Sequence, residues 1–161
     1  MEKEFLELVN NNRALIYKVC NLYCDSQENR RDLFQEVILQ LWKSFPRFRG
    51  ESSVGTWLYK VALNTAISNF RKDLKNPGNQ PISLPELDIP DISEPMAEKE
   101  NKDMLTLAME KLTEVERAII LLYLEEKTYE EMSEIMAISV NNVGVRLTRI
   151  KNKLSKIIKT V

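Results

Sequence analysis

Apolar residues recur every three or four positions along most of the chain, the spacing of an α-helix with one buried face. In the N-terminal half this pattern predicts helices near residues 2–23, 29–45 and 53–75. In the C-terminal half it predicts helices near residues 100–111, 114–125, 128–136 and 140–158. No segment alternates apolar and polar residues between turn signals in the manner of a strand. The pattern therefore predicts an all-α protein.

A proline-rich segment separates the two groups of predicted helices. Proline lacks the backbone donor that helices and sheets need, and five of the six prolines fall between Pro77 and Pro95. Residues 76–100 also carry six acidic residues and one lysine. We predict two small helical domains, residues 1–75 and 101–161, joined by this acidic linker.

Composition narrows the function classes. Of 161 residues, 43% are hydrophobic and 29% are charged, a globular balance. The chain has no histidine, two cysteines and four glycines, which excludes histidine-based catalysis, a four-cysteine zinc site and a glycine-rich phosphate loop. We expect no enzyme activity, no cofactor and no metal, and we interpret Cys20 and Cys24 as core residues.

The N-terminus and the hydropathy of the chain indicate its compartment. Residues 1–4 are charged apart from the first methionine and lack the apolar stretch of a signal peptide. No apolar run approaches the roughly 20 residues that span a bilayer. We expect a cytoplasmic protein without membrane insertion.

Charge is unevenly distributed although the net charge is only −1. Residues 43–75 hold seven basic and two acidic residues, and residues 140–161 hold six basic residues and no acid. Two basic regions on either side of an acidic linker favour a nucleic-acid-binding protein with two contact surfaces.

The second predicted helix has a polar outer face. Its core stripe is formed by Phe34, Val37, Ile38, Leu41 and Phe45, and the opposite face holds Asp32, Gln35, Glu36, Gln40 and Lys43. Leu39 lies among these polar residues. An apolar residue with a polar rim is a candidate anchor for a partner helix, while the alternative is an isolated surface leucine.

The third predicted helix mixes side chains suited to unpaired nucleic acid. A serine at its start can cap it, and its outer face holds Trp57, Lys60, Val61, Asn64, Ser68, Arg71 and Lys72. Cations bind phosphates, polar groups read base edges, and an aromatic ring can stack on a base. The polar loop before it, residues 48–53, can hold an extruded base. The alternative is that Trp57 packs against another helix.

The last two predicted helices have the pattern of a helix-turn-helix. Residues 129–136 form a short amphipathic helix, residues 137–139 a turn, and Ser139 can cap the next helix. In that helix Val143, Leu147 and Ile150 lead the core stripe. The outward residues are suited to base edges or phosphates and are Asn141, Val145, Thr148, Arg149 and Asn152, with Lys151, Lys153, Lys156 and Lys159 toward the DNA backbone.

Taken together, these segments resemble a bacterial sigma factor of the extracytoplasmic-function (ECF) group of the sigma-70 family. Residues 32–42 look like the family's polymerase-binding helix, and residues 48–58 look like its promoter-melting segment. Residues 112–117 are similar to the opening of its second domain, and residues 129–132 and 143–154 fit its helix-turn-helix. The resemblance covers both predicted domains in order.

The resemblance implies that the chain binds core RNA polymerase, recognises the minus-ten and minus-thirty-five promoter elements and initiates transcription. The implied partners are the β′ clamp helices and the β flap of polymerase, promoter DNA and an anti-sigma factor. Asp32, Gln35, Glu36, Leu39 and Gln40 would contact polymerase.

The resemblance also implies two sets of DNA contacts. The minus-ten set comprises Phe48, Arg49, Ser52, Ser53, Val54, Trp57, Lys60, Asn64, Ser68, Arg71 and Lys72. The minus-thirty-five set comprises Asn141, Asn142, Val145, Arg146, Thr148, Arg149, Asn152, Lys153 and Lys156. Two positions depart from the family pattern, since Ala137 stands where glycine is frequent and Gly144 where a basic residue is frequent.

Three alternatives belong to other function classes. A stand-alone helix-turn-helix regulator would dimerise, bind a palindrome and need no polymerase. A carboxylate-metal enzyme would use Asp32 and Glu36, but no second acidic cluster joins them. An adaptor that contacts only proteins fits poorly with the basic final helix.

Overall fold

The computed structural model describes residues 1–48, 50–75 and 107–159, and the predicted linker therefore lies outside the described residues. The chain divides into two compact units, Met1–Pro85 and Glu86–Val161. Every regular element in the described residues is helical. The prediction of an all-α protein with two small helical domains is confirmed, and the linker boundaries at residues 76 and 100 remain a prediction.

The described part of the first unit, residues 1–48 and 50–75, contains four α-helices and one short 3₁₀ helix. They are α1 (Glu2–Asn11), α2 (Arg13–Tyr23), α3 (Gln27–Ser44), the 3₁₀ helix (Phe45–Arg47) and α4 (Val54–Lys75). The single helix predicted near residues 2–23 is thus two helices. Asn12 leaves helical geometry at φ −123° and ψ 22°, and its side-chain amide donates to the Leu8 carbonyl at 2.8 Å. An asparagine that bonds its local backbone ends a helix readily.

The core of the first unit lies between α2, α3 and α4, which pack against one another. Each helix contributes one apolar stripe, and the largest fully buried side chains are Ile16, Val19, Leu33, Leu41, Leu58 and Leu63. The helix α1 is not part of this three-helix packing and joins the unit through its buried Phe5 and Val9. This packing fixes which faces of α3 and α4 remain outside.

In the described part of the second unit, residues 107–110 are helical and are followed by α5 (Glu114–Leu124), α6 (Tyr129–Met136) and α7 (Val140–Lys159). The helix α7 packs against both α5 and α6. The largest fully buried side chains of its core are Ile119, Leu122, Met132, Ile135, Leu147 and Ile150. The helix-turn-helix predicted in residues 129–158 is therefore present as α6 and α7.

Candidate nucleic-acid and partner interfaces

The outer face of α3 carries the predicted partner-binding residues. Ser26 caps the helix by accepting from the Asn29 amide at 3.1 Å. The buried stripe Leu33, Phe34, Val37, Ile38 and Leu41 turns the opposite face outward. That face holds Asp32, Gln35, Glu36, Leu39 and Gln40, all of them half-buried. The structure brings the five residues together on one side of one helix, as predicted.

Two local interactions shape this face. The Gln40 side-chain amide donates to a Glu36 carboxylate oxygen at 3.0 Å, four residues away on the same side of α3. Partial burial raises the pKa of Asp32, and the charge of Glu28 one turn earlier adds to the shift. Leu39 is thus surrounded by polar side chains, two of which are hydrogen-bonded to each other. This is the arrangement of an apolar contact with a polar rim.

The outer face of α4 is a continuous polar stripe. Lys60, Asn64, Ser68, Arg71 and Lys72 are all exposed, and residues spaced by three or four lie on one side of a helix. The opposite side is buried along Leu58, Tyr59, Ala62, Leu63, Ala66 and Ile67. Ser53 caps the helix, because its hydroxyl accepts from the Thr56 amide at 3.1 Å. The stripe has the orientation that periodicity predicted.

The prediction that Trp57 belongs to this outer stripe is wrong. Trp57 is only 9% exposed. Its ring stacks on the Phe48 ring with centroids 4.7 Å apart and planes 26° apart, and it also lies 6.2 Å from Phe45. The 3₁₀ helix and Phe48 fold back over the first turn of α4 and cover the indole. The alternative reading of Trp57 as a packing residue is the correct one.

The loop before α4 presents small polar side chains next to this aromatic stack. Gly50 has φ +73°, a left-handed conformation that glycine adopts without a Cβ penalty. Ser52 is half-buried, and Ser53 and Val54 are exposed. Phe48 is half-buried against Trp57, and Arg49 lies outside the described residues. The loop therefore begins at a ring anchored to the core and ends at a helix cap.

The helix-turn-helix is fixed at its helix starts by side-chain caps. Thr113 and Glu116 form a capping box at α5, and Thr128 and Glu131 form the same motif at α6. At α7 the Ser139 hydroxyl accepts from the Asn142 amide at 3.1 Å, as predicted. Each cap satisfies donors that the first helical turn leaves unpaired.

The turn between α6 and α7 is left-handed at Ala137, with φ 56° and ψ 43°. Two hydrogen bonds join Ser133 to Ile138, the residue after Ala137. The Ile138 amide donates to the Ser133 carbonyl at 3.2 Å, and the Ser133 hydroxyl donates to the Ile138 carbonyl. Alanine is strained in this conformation and glycine is not. This explains physically why glycine suits the position.

The outward face of α7 has the predicted residues. Val143, Leu147 and Ile150 are at most 1% exposed, and they fix the rotation of the helix. On the other side, Asn141, Asn142, Val145, Thr148, Arg149 and Asn152 are exposed, and Arg146 is half-buried. At Gly144 an added Cβ would meet Cε2 of Tyr129 at 3.6 Å, an ordinary contact distance.

A shallow cleft lies where the start of α5 meets α7. It is lined by Thr113, Glu116, Asn142, Arg146 and Arg149. Burial tends to raise the pKa of Glu116, but hydrogen bonds from the Thr113 amide and from Lys153 outweigh it and leave the pKa below its usual value. The carboxylate is thus held ionised beside two arginines that reach the outer face.

The lysines of α7 differ in their surroundings. The Lys153 ammonium lies 3.0 Å from a Glu116 carboxylate oxygen. Lys151 donates to the Tyr123 hydroxyl at 3.1 Å and lies 4.2 Å from the centre of that ring. Lys156 is exposed. Lys153, predicted to contact DNA, is therefore directed toward α5 in this structure.

The two cysteines do not form a reactive site. Cys20 is buried, and Cys24 is half-buried at the end of α2. Burial raises the pKa of both thiols, that of Cys24 to about 11. The reading of the cysteines as core residues fits Cys20 fully and Cys24 in part.

Sequence reasoning missed two features of the interfaces. It did not pair Glu116 with Lys153, and it did not connect the aromatic residues around Trp57. The T-x-x-E spacing at Thr113 and Thr128 is a capping signal that identifies Glu116 and Glu131 from sequence. No sequence signal joins Lys153 to a residue 37 positions away.

The described residues hold neither a cluster for a metal ion nor a helix that could span a membrane. In residues 1–48, 50–75 and 107–159, no group of three or more acidic, cysteine or histidine side chains is placed to hold a metal ion. Within the same ranges, no helix is both long and apolar enough to cross a membrane.

Comparison with protein families matches both halves of the chain. The family described as "Sigma-70 region 2" matches residues 8–75, and the family described as "Sigma-70, region 4" matches residues 102–154. The first match contains the candidate faces of α3 and α4. The second contains the cleft and most of α7.

Curated relatives match along most of their length. The ECF RNA polymerase sigma-E factor of Haemophilus influenzae is 29% identical over 144 residues, covering 80% of this chain and 76% of the relative. The RNA polymerase sigma factor YlaC of Bacillus subtilis is 28% identical over 135 residues, covering 80% and 77%.

Solved structures share the fold. CnrH in complex with the cytosolic domain of CnrY has a TM-score of 0.73 at 17% identity, over 99% of this chain and 90% of that chain. The sigma factor RpoE in complex with the anti-sigma factor NepR from Bartonella quintana has a TM-score of 0.69 at 19% identity, over 98% of both chains.

Proposed function

Since the chain belongs to the ECF group of the sigma-70 family and is an RNA polymerase sigma factor, we propose how its exposed faces divide the work of promoter recognition. The first unit binds polymerase and recognises the minus-ten element, and the second unit recognises the minus-thirty-five element. The chain acts as a specificity subunit, without a catalytic residue of its own.

The outer face of α3 is the proposed polymerase-binding surface. Leu39 supplies the apolar contact to the β′ clamp helices, and Asp32, Gln35, Glu36 and Gln40 supply the polar rim. The support is that all five side chains lie half-buried on one face, opposite a fully packed stripe. Interface anchors combine partial burial with a rim of this kind.

The loop before α4 and the polar stripe of α4 are the proposed minus-ten surface. The loop, from Phe48 and Arg49 to Ser52, Ser53 and Val54, takes a flipped base. Lys60, Asn64, Ser68, Arg71 and Lys72 support the strand that carries it. The support is the exposure of all five stripe residues on one side of α4, since phosphate contacts and amide groups along one line suit a single strand. Trp57 is left out of this set because its ring is covered.

The outward face of α7 is the proposed surface for the minus-thirty-five element. The orientation of this face is the single observation that supports recognition of duplex DNA. Val143, Leu147 and Ile150 are buried, so Asn141, Val145 and Arg149 face away from the unit. Recognition helices read the major groove with outward residues of their first turns. Asn142, Arg146, Thr148, Asn152 and Lys156 would flank them at phosphates and base edges, and the β flap would contact the same unit.

Two further assignments follow from the relatives. Each of the two solved structures that share the fold holds a protein partner, the cytosolic domain of CnrY with CnrH in one and the anti-sigma factor NepR with the sigma factor RpoE in the other. We therefore infer that an anti-sigma protein regulates this chain. We also infer that this chain acts in the cytoplasm, where core polymerase and promoter DNA are.

Transcription in vitro tests the proposal. Core polymerase with this chain should initiate from matching promoters in a library, and core polymerase alone should not. Asn64→Ala, or Ser52→Ala together with Ser53→Ala, should reduce permanganate reactivity of thymines in the minus-ten region at equal promoter occupancy. Promoter binding by the chain in the absence of polymerase would favour the stand-alone regulator instead.

A further inference from the structure

Five aromatic rings form an unbroken series of contacts across the first unit. Trp42 of α3 lies 5.0 Å from Phe5 of α1, and Phe5 lies 5.4 Å from Phe45 of the 3₁₀ helix. Phe45 lies 6.2 Å from Trp57 of α4, and Trp57 stacks on Phe48 at 4.7 Å. This ring series contains both tryptophans and three of the five phenylalanines of the chain.

The two ends of the ring series lie at the two proposed functional surfaces. Trp42 is 41% exposed and follows Leu39 by three residues on α3, next to the polymerase-binding face. Phe48 is half-buried and is the first residue of the loop proposed to take a flipped base. Between them Phe5 and Trp57 are buried, at 4% and 9% exposure, and Phe45 is half-buried.

Phe5 is the ring that links the two ends. It contacts Trp42 and Phe45 edge-on, at interplanar angles of 62° and 65°, the geometry that aromatic pairs prefer. It is also one of two buried residues by which α1 joins the unit. The helix α1 carries none of the proposed polymerase or DNA contacts.

We propose that Phe5 and Phe45 are positioning residues for promoter opening, because they hold Trp57 and, through it, Phe48 and the start of the strand-capturing loop. The inference rests on the proposed function of that loop. Phe45 contacts Trp57 directly, and Phe5 contacts Phe45. Loss of the Phe45 ring therefore removes packing from Trp57, and loss of the Phe5 ring removes the support behind Phe45. Phe48, at the start of the loop, is then held less rigidly against Trp57. The cap at Ser53 and the outer face of α3 keep their own contacts.

Ring-removing variants test this in the full chain with core polymerase. Phe5→Leu and Phe45→Leu should slow open-complex formation about tenfold, the effect of losing one or two ring contacts, with polymerase affinity within about twofold. Phe45→Tyr keeps the ring, and its hydroxyl can reach solvent from a half-buried site, so it should open promoters as the wild type does. Phe34→Leu removes a core ring that stacks on Tyr17, outside the ring series, and controls for general loss of stability.

Fluorescence gives a second readout, because both tryptophans belong to the ring series. In a Trp42→Phe background Trp57 is the only tryptophan, and Phe5→Leu should increase its quenching by acrylamide, whereas Phe34→Leu should not. Unchanged opening and quenching in Phe5→Leu, or an equal loss of opening in Phe34→Leu, would overturn the inference. If the Ser52, Ser53 and Asn64 variants also left opening unchanged, the proposed function of the loop would be the part that fails.

Discussion

The ammonium of Lys153 in α7 lies 3.0 Å from the carboxylate of Glu116 in the first turn of α5. The same carboxylate accepts from the Thr113 amide at 2.9 Å, so one side chain caps α5 and binds α7. The partners are partly exposed, at 42% and 20% of their side chains, and such a pair contributes modestly to stability. The ion pair connects α7, the proposed recognition helix, to the start of α5.

This pair predicts a pH dependence. The pKa of Glu116 is below its usual value in the folded chain, so the unfolded state takes up the proton first. The stabilisation is complete above pH 4.5, the ordinary glutamate value, and is lost as pH falls through the lower folded pKa. We expect the unfolding free energy of the second unit to decrease with acidification, as followed by denaturation monitored at the NMR signals of Tyr123 and Tyr129.

Variants separate this contribution from other acid effects. Glu116→Gln should weaken the loss of stability that begins as the pH falls below the ordinary glutamate value of 4.5. Ser155→Ala, at an exposed residue of α7 that does not titrate, should leave it as in the wild type. An equal pH dependence in Glu116→Gln and in the wild type would show that Glu116 does not contribute to the acid sensitivity of the second unit.

A second prediction concerns the left-handed turn. Ala137→Gly should stabilise the second unit by about 1 kcal/mol, because glycine relieves the Cβ strain at φ 56°. Denaturation followed at the two tyrosines measures this. Ala14→Gly, at an exposed position within α2, should instead destabilise the first unit by about 1 kcal/mol. Destabilisation by Ala137→Gly would mean that the turn is not strained.

A third prediction concerns polymerase binding. Leu39→Ala should weaken the affinity for core polymerase by about 1–2 kcal/mol, as for a moderate interface anchor, with little change in folding. Leu74→Ala removes the same atoms from a leucine that is 68% exposed at the end of α4, and it should leave the affinity unchanged. Equal affinities for the two variants would remove Leu39 from the proposed surface.

A fourth prediction separates base reading from phosphate binding. Arg149→Ala or Asn141→Ala should cost roughly 1–3 kcal/mol on the preferred promoter and relax the base preference at one or two upstream positions. Lys156→Ala should weaken all promoters similarly and reduce the salt dependence. Lys153→Ala should act mainly on the stability of the second unit, because Lys153 is paired with Glu116. The measurement is holoenzyme binding to a randomised upstream element at two salt concentrations.

A fifth prediction concerns Gly144. An added Cβ meets Tyr129 at 3.6 Å without a clash, so Gly144→Ala should stabilise α7 by roughly 1 kcal/mol through helix propensity. Promoter affinity should not change. A more stable variant with weaker binding to the upstream element would show that α7 needs the bare backbone there to approach DNA.

The buried faces of the helices were predictable from sequence because each depends on a period within one helix. The stripe Val143, Leu147 and Ile150 could be predicted, and with it the direction of Arg149. Periodicity gives the direction of a side chain but not what covers it. Trp57 has the spacing of an outer residue and is buried only because Phe48 returns over it from another element.

The other differences also have local or distant physical causes. The break at Asn12 depends on one side-chain bond to the Leu8 carbonyl, which competes with helix continuation without disturbing the apolar pattern. The contact of Lys153 depends on the folding of α7 against α5. The sites of the minus-ten and minus-thirty-five surfaces could be proposed from sequence, but the ring series and the Glu116 pair required the fold.

The double hold of Ser133 on Ile138 has an evolutionary consequence. A turn whose shape is set by neighbouring hydrogen bonds can exchange glycine for alanine in one mutational step. The cost of about 1 kcal/mol is a small part of the 5–15 kcal/mol that separates typical domains from unfolding. Searches that require glycine between the two helices would therefore overlook chains of this kind, although their recognition helices are presented in the same way.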